Sequence, residues 1–176
     1  MMARVAAIVL AAGEGSRFGG PKQVLTLPAV LERISDSDAV DEVVVVEGAH
    51  PLGDAAGAAR VVRCEDWALG PGASLRAGLA ALDGDVDAAI VILADGPNLD
   101  PGAVAVIRES WERNGGDVVA ASYNGARGHP LLVARPAWGS VPDAGLRMLT
   151  PRLVGCDAFE APGDVDRPED LPGWLA

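Results

Sequence analysis

The chain has 176 residues and a net charge of −11, and 49% of its residues are hydrophobic although only 4% are aromatic. This length suits a single domain with a sizeable core, so we expect residues 1–176 to form one. The acidic balance argues against a surface for nucleic acid or for an acidic membrane, because both need a basic face.

The two cysteines predict neither a metal site nor a disulfide framework. Cys64 and Cys156 stand alone, without the paired spacing that zinc ligands show. We expect two buried, reduced thiols in a cytoplasmic protein. The apolar residues 5–12 end at Gly13 and are too few for a membrane span or a usual signal peptide.

Four continuous apolar runs predict strands that are buried on both faces, as in a parallel sheet. They cover residues 5–10, 43–46, 88–93 and 118–121. Helical patterns lie between them. Apolar side chains recur at helical spacing over 30–34 and 75–82, and a third helix is predicted from Asp100-Pro101, an N-cap carboxylate and a first-turn proline, to Asn114.

This alternation predicts an α/β fold with a doubly wound, mostly parallel sheet. Ligands of such sheets bind at the carboxyl ends of the strands. Loops 11–22, 94–98 and 122–130 are therefore the places where we expect a site.

The first loop carries the sharpest signal. It contains four glycines, Arg17 and Lys22, and Lys22 is the only lysine among the 14 basic residues. Pro21 and Gln23 exclude a Walker P-loop, and the third glycine of a dinucleotide fingerprint is displaced. Either the loop lies along a nucleotide with both cations on its phosphates, or it is an ordinary glycine-rich turn.

The other candidate positions each leave two interpretations open. Asp95 either holds a divalent cation or forms an Asx turn. Ser74 either reads a base edge or caps a helix, and His129 either hydrogen-bonds a substrate or completes a turn. Asp166 either faces Asp95 in a magnesium site or caps the helical turn that starts at Pro168. His50 is expected to be a surface loop residue.

Taken in order, these segments resemble the molybdenum cofactor cytidylyltransferases, which belong to a larger nucleotidyltransferase group with guanylyl counterparts. The family's glycine-rich loop corresponds to residues 10–22, its S-L-x-x-G-L to 74–79, its D-Q-P to 95–97, its G-H-P to 128–130 and its D-x-D-T-P-E-D-L to 164–171. Ala12 matches the cytidylyl pattern, whereas guanylyl enzymes usually have glycine there. This chain departs from the family at Gly96, which replaces glutamine, and in a shortened segment after Lys22.

The resemblance implies a Rossmann-like, GT-A-like nucleotidyltransferase fold with three α/β/α layers. It implies Mg²⁺-dependent transfer of a nucleoside monophosphate, CMP before GMP, from a triphosphate to a phosphorylated pterin-type acceptor, with a possible molybdoenzyme partner. Lys22, Arg17 and Asp95 would be catalytic, and Asp95 and Asp166 would hold the metal. The implied nucleotide and substrate contacts are Leu10, Ala11, Ala12, Gly13, Glu14, Gly15, Ser16, Arg17, Lys22, Gly72, Ser74, Asp95 and His129.

Three alternatives remain at this point. One is a nucleotidyltransferase for a sugar or polyol phosphate, and another is a non-catalytic nucleotide-binding protein that delivers a cofactor. The third is a dinucleotide-binding oxidoreductase with a defective fingerprint. Arg76 and Arg127 are weaker candidates for contacts with an anion.

Overall fold

A seven-stranded sheet with strand order β3-β2-β1-β4-β6-β5-β7 organises the chain. The computed structural model describes residues 2–176. The strands are β1 Val5–Ala11, β2 Glu42–Glu47, β3 Arg60–Arg63, β4 Ala88–Leu93, β5 Val118–Tyr123, β6 Ala126–Ala134 and β7 Arg152–Gly155. Only β6 runs against the others, pairing antiparallel with β4 and β5. The predicted α/β fold with a mostly parallel sheet is confirmed.

Helices cover both faces of the sheet and give it three layers. They are α1 Gln23–Ser37, α2 Pro71–Ala80 and α3 Pro101–Asn114. Alternate side chains of β1 point to opposite faces: Val9 packs in the cluster that holds α1 and α3, whereas Ile8 packs with Leu75 and Leu79 of α2. Because both faces are covered, these strands consist of continuous apolar residues.

The third helix begins and ends where the sequence predicts. The Asp100 carboxylate accepts a hydrogen bond from the backbone N–H of Gly102 at 2.8 Å, so it is the N-cap. The helix ends at Asn114 and is followed by Gly115 with a φ of 67°, a conformation that glycine adopts at no steric cost. Val104 and Ile107 lie fully buried on its inner face.

The expectation that 122–130 forms a ligand loop was wrong. Residues 118–134 form a hairpin, in which Asn124 and Gly125 connect β5 to β6 with φ values of 51° and 79°. Two-residue hairpin turns of this kind require positive φ at both positions, which explains the Asn-Gly pair. The sequence analysis also missed β3 and β7, two four-residue strands at the edges of the sheet.

The C-terminal segment returns along the carboxyl edge of the sheet after β7. There β1 and β4 end side by side, with Leu10 paired to Leu93. The backbone N–H of Asn98 donates to the carbonyl of Pro162 at 3.0 Å, and that of Val165 donates to the carbonyl of Asp95 at 3.0 Å. These bonds fix residues 162–166 beside the loops that follow β1 and β4.

Two further predictions concern the cysteines and the membrane. Cys64 and Cys156 are both buried and free, as predicted. Among residues 2–176, no helix combines the length and the apolar character needed to cross a membrane.

Candidate active site

The loop between β1 and α1 folds into a tight turn around Gly15. The Gly15 carbonyl accepts hydrogen bonds from the backbone N–H groups of Phe18, Gly19 and Gly20, at 3.0, 3.0 and 3.2 Å. Gly15 has a φ of 67°, and a Cβ on it would lie 2.1 Å from the Gly20 carbonyl oxygen. Only glycine fits this position, so the turn depends on it.

This turn places Lys22 at the centre of the carboxyl edge of the sheet. The Lys22 side chain is only 9% exposed, and its Nζ lies 2.9 Å from Asp95 Oδ2 and 3.2 Å from Asp166 Oδ1. Burial by itself lowers the pKa of Lys22, but its hydrogen bonds and charge interactions with Asp95 and Asp166 outweigh burial and raise it. The ammonium therefore stays charged at neutral pH.

Arg17 occupies a different environment, at the mouth of the site. Its Nη1 lies 2.8 Å from Asp166 Oδ2, yet the side chain remains 67% exposed. Long exposed arginines change rotamer at little cost, because exposed ion pairs contribute little to stability. Arg17 is thus placed to follow a ligand, whereas Lys22 is held in place.

Three carboxylates converge around the Lys22 ammonium. Asp95, Asp164 and Asp166 each offer an oxygen atom, and these atoms lie within 4.8 Å of one another. Val165, which lies between Asp164 and Asp166, is 1% exposed, so the two aspartates flank a buried residue. Burial, followed by the charges of Asp95 and Asp166, raises the pKa of Asp164.

This donor set fits a divalent cation. Hard cations such as Mg²⁺ and Mn²⁺ take carboxylate oxygens, and mutually repelling carboxylates gain from a shared positive charge. The sequence analysis did not name Asp164 as a ligand. The sequence did contain a signal for Asp164 as a ligand: it lies two residues before Asp166, and residues at this spacing share a face of an extended segment.

The interpretation of Asp166 as a helix cap was wrong. The short helical turn Pro168–Asp170 follows Arg167, and the Asp170 carboxylate accepts hydrogen bonds from the backbone N–H groups of Arg167 and Asp166, at 2.8 and 3.1 Å. Because Asp170 caps the turn, the Asp166 side chain is left to bind Lys22 and Arg17.

A cavity of about 440 Å³ opens between the glycine-rich loop, the start of α2 and the acidic cluster. It is lined by these predicted contacts: Leu10, Ala12, Gly13, Gly15, Ser16, Arg17, Lys22, Ser74, Asp95 and Asp166. The sequence analysis missed Trp67, which lines the cavity from the short helical turn before α2. It also missed Gln23, whose side-chain amide donates to the Gly13 carbonyl at 3.3 Å.

Four predicted contacts lie outside this cavity: Ala11, Glu14 and Gly72, which are described here, and His129, which is described below. Ala11 is the last residue of β1 and is 3% exposed. The Glu14 carbonyl lies 2.7 Å from His50 Nε2, so His50 braces the loop and has a structural contact that the sequence did not reveal. A Cβ at Gly72 would lie 1.7 Å from the Pro142 carbonyl oxygen, so Gly72 serves close packing rather than ligand contact.

Ser74 does not cap a helix, which corrects that interpretation. Helix α2 starts at Pro71 with Gly70 as its N-cap, so Ser74 lies within the first turns of the helix. It is 3% exposed and faces the cavity. Ser74 therefore remains a candidate contact for a ligand in this cavity.

His129 and the two weaker arginine candidates lie away from the charged cavity. His129 is half-buried in β6 and lines a second cavity. Burial, reinforced by the charge of Arg127, lowers the pKa of His129 to about 4. Arg127 donates to the carbonyls of Leu146 and Leu149. Arg76 donates to the Val141 carbonyl and forms an ion pair with Asp143. Both arginines therefore fasten the segment 141–149 to the rest of the fold.

Gly96, where the family has glutamine, is also explained by packing. A Cβ at this position would lie 2.8 Å from Cβ of Pro162, which is closer than side chains normally approach. The missing side chain therefore makes room for the C-terminal segment that carries Asp164 and Asp166.

The family described as "MobA-like NTP transferase domain" matches residues 7–150. The chain belongs to this family. The resemblance drawn from the sequence is thereby confirmed at the level of the family, which is a family of NTP transferases and not of oxidoreductases.

Individual relatives agree with this assignment. A bifunctional enzyme IspD/IspF from Anaeromyxobacter sp. (strain Fw109-5) is 33% identical over 184 residues, which cover 92% of this chain but 46% of that protein. The chain thus spans about half the length of this curated relative. Rv0371c from Mycobacterium tuberculosis H37Rv is 25% identical with a TM-score of 0.79, covering 97% of this chain and 96% of that one.

Two further solved structures share the fold. A complex of Rv0371c with manganese is 24% identical with a TM-score of 0.76, and 95% of each chain is covered. A nucleotidyl transferase from Methanothermobacter thermautotroptrophicus is 23% identical with a TM-score of 0.75, covering 95% of this chain and 94% of that one.

Proposed function

We propose that the chain, as one nucleotidyltransferase domain, transfers CMP in preference to GMP from a nucleoside triphosphate to a phosphorylated pterin-type acceptor. An acceptor phosphate oxygen bonds to the α-phosphorus while the bond to the β-phosphate bridging oxygen breaks, releasing pyrophosphate. The observation that carries the proposal is the Lys22 ammonium, buried between Asp95 and Asp166 at the base of a glycine-lined cavity.

The chain's own residues suit this transfer through charge and position. Lys22 and Arg17 would neutralise the triphosphate and the departing pyrophosphate, together with backbone N–H groups of the loop. The attacking phosphate is already ionised near neutral pH, because its second pKa is about 6. No general base is needed, and positioning accounts for most of the rate.

We propose Mg²⁺ as the metal, held by Asp95 and Asp166 with Asp164 as a third ligand. Bound there, it would neutralise charge that develops on the transferred phosphoryl group. The manganese complex of Rv0371c, which has the same fold, supports a divalent cation as the kind of metal. Lys22 uses the same carboxylate oxygens, so its ammonium competes with a cation when no nucleotide is bound.

The preference for CTP rests on the match of Ala12 to the cytidylyl pattern, and the pterin acceptor rests on the family resemblance. Ala12 lines the nucleotide cavity, so this position can influence which base is accepted. We further propose that the protein acts in the cytoplasm and delivers its product to a molybdoenzyme.

Pyrophosphate release tests the proposal. The chain is incubated with Mg²⁺, one of CTP, GTP or UTP, and either molybdopterin or a polyol phosphate. We expect the fastest release with CTP and molybdopterin, and a near-complete loss in Lys22→Met. The matched control Arg113→Met removes an exposed cation at the end of α3 and should keep full activity. Absence of pyrophosphate with every combination would overturn the proposal.

A further inference from the structure

A third cavity, which we call the α1 groove, lies on the face of the sheet that α1 covers. It has a volume of about 680 Å³ and is enclosed by α1, by the residues that lead into β2 and by the segment 54–59. Within residues 2–176, none of its lining residues also lines the charged nucleotide cavity or the apolar cavity of His129, which share Leu10 and Leu93 as a common wall. The α1 groove is therefore separate from the proposed transfer site.

The floor of the α1 groove is aliphatic and incompletely covered. Ile34 and Ala56 lie at its base and are 1% and 2% exposed. Leu31, Val40 and Val43 pack against the core but keep part of their surface exposed. Covering such apolar surface with a partner is favourable, because it removes the surface from water.

The α1 groove has the length and shape to receive a helix. Its α1 wall runs from Pro28 to Asp38, a length of about 15 Å at the helical rise per residue. The opposite wall, residues 55–59, consists of four alanines and one glycine, and such small residues let a second helix approach closely. The backbone N–H of Leu52, just before this wall, donates to the Glu47 carboxylate at 3.0 Å. The wall is thus fixed before any partner arrives.

Every ionisable residue that lines the α1 groove is acidic, and two of the four are already paired within the chain. Asp41 Oδ2 lies 3.4 Å from Arg108 Nη1. Glu42 Oε1 lies 3.3 Å from Arg4 Nη2. The other two, Asp38 and Asp54, are exposed, and in the described part of the chain neither takes part in an ion pair.

The end of α1 adds to this negative charge. Asp38 is the C-cap of α1, whose last turn contains no basic residue. The C-terminus of a helix carries partial negative charge, which a nearby cation stabilises. A cationic partner would therefore supply a charge that the chain itself does not place there.

We propose that the α1 groove binds an amphipathic helix of a partner protein, with aliphatic side chains on one face and lysine or arginine beside them. The aliphatic side chains would cover Ile34 and Ala56, and the basic ones would reach Asp38 and Asp54. A second copy of this chain fits less well, because its net charge of −11 repels the acidic rim. A small amine would cover only one end of a groove of this length.

Fluorescence anisotropy with synthetic peptides tests the proposal. The probe is a peptide of leucine and lysine, about 14 residues long so that it can form a helix, with its leucines on one helical face. One control peptide has glutamate in place of lysine, and another has the same composition with its leucines scattered around the helix. We expect the probe to bind at least tenfold more tightly than either control. Equal binding of either control would overturn the proposal, and so would n-hexylamine binding as tightly as the probe.

Matched charge variants locate the binding site, because a basic peptide is attracted to an acidic protein as a whole. Asp38→Asn with Asp54→Asn removes two charges from the groove, and Glu160→Gln with Glu169→Gln removes two exposed charges outside it. Asparagine tolerates the positive φ of Asp38. We expect the first pair to weaken binding of the probe at least tenfold and the second pair less than twofold. Equal losses would mean unspecific attraction and would refute the assignment.

Ala58→Phe tests the apolar part of the α1 groove, with Ala126→Phe as its control. Ala58 lines the groove and is exposed, so the larger side chain fills the groove without entering the core. Ala126 is exposed at the start of β6. We expect at least a fivefold loss of affinity for the probe in Ala58→Phe and no change in Ala126→Phe. Unchanged affinity in Ala58→Phe would overturn the proposal. A dimer of the unaltered chain in sedimentation that Ala58→Phe abolishes would also overturn it, because a second copy would then occupy the groove.

Discussion

The two cavities on either side of Leu10 and Leu93 are built by different means. The charged one is assembled from loops at the carboxyl ends of β1 and β4 and from the C-terminal segment, and buried charges meet there. The apolar one is set on regular elements, including the antiparallel strand β6, and is closed by a tethered segment. The difference teaches that the lining of one cavity can be altered without changing the main elements that form the other.

The strongest test of the charged side is Lys22→Met. Losing a cation that contacts the transferring phosphates should cost about 2–4 kcal/mol in the transition state, a fall in turnover of roughly 30- to 1,000-fold. Steady-state pyrophosphate release measures this. The exposed Arg17, changed to Met in parallel, should lose less. Equal losses of turnover in the two variants would contradict the distinction between Lys22 as a fixed cation and Arg17 as a mobile one.

Gly96→Gln tests whether the packing of the C-terminal segment against Gly96 positions Asp164 and Asp166 in the charged cavity. The added side chain meets Pro162, and overpacking of this kind typically costs about 1–3 kcal/mol. Urea titration should show a lower free energy of unfolding, and Mn²⁺ binding should weaken because Asp164 and Asp166 shift. A variant as stable as the original would show that the segment is not fixed there.

The pKa of His129 tests the apolar side through stability. Folded His129 titrates at about 4, whereas an unfolded histidine titrates near 6.5. The unfolded state therefore binds more protons between these values, and stability is lost as pH falls from about 6.5 toward 4. We expect His129→Asn to lack this part of the decline, about 3 kcal/mol, in urea titrations across that range. Parallel pH profiles for the two proteins would contradict a lowered pKa of His129 in the folded protein.

A smaller effect concerns Mn²⁺ affinity without nucleotide. The Lys22 ammonium occupies the carboxylate oxygens that a metal would use, so Lys22→Met should bind Mn²⁺ about tenfold more tightly, or about 1.4 kcal/mol. Electron paramagnetic resonance of free Mn²⁺ measures this. Arg113→Met is the control. Weaker binding in Lys22→Met would contradict competition between the ammonium and the metal.

The sequence predicted the parallel part of the fold well, because strands buried on both faces consist of continuous apolar residues. Strand β6 was missed although Asn124-Gly125 is a strong hairpin signal, since residues 122–130 were interpreted as a ligand loop. The edge strands β3 and β7 were missed because four residues with mixed exposure give little pattern.

The site was only partly predictable for a related reason. Asp95 lies just after β4 and Lys22 ends the loop that follows β1, so their meeting at one edge of the sheet follows from the topology. The position of Asp164 depends on the hydrogen bond between Val165 and Asp95, which joins residues 70 positions apart. The apolar cavity likewise depends on tethers such as Arg76 to Val141, 65 positions apart. Such contacts leave no local pattern in the sequence.

Calorimetry of CTP with and without Mg²⁺ tests the central claim most directly, namely that the buried ammonium and the acidic cluster receive one metal-bound triphosphate. We expect CTP to bind at least tenfold more tightly with Mg²⁺ present, and more tightly than GTP under the same conditions. Equal affinity with and without Mg²⁺, or no binding of either nucleotide, would contradict the account.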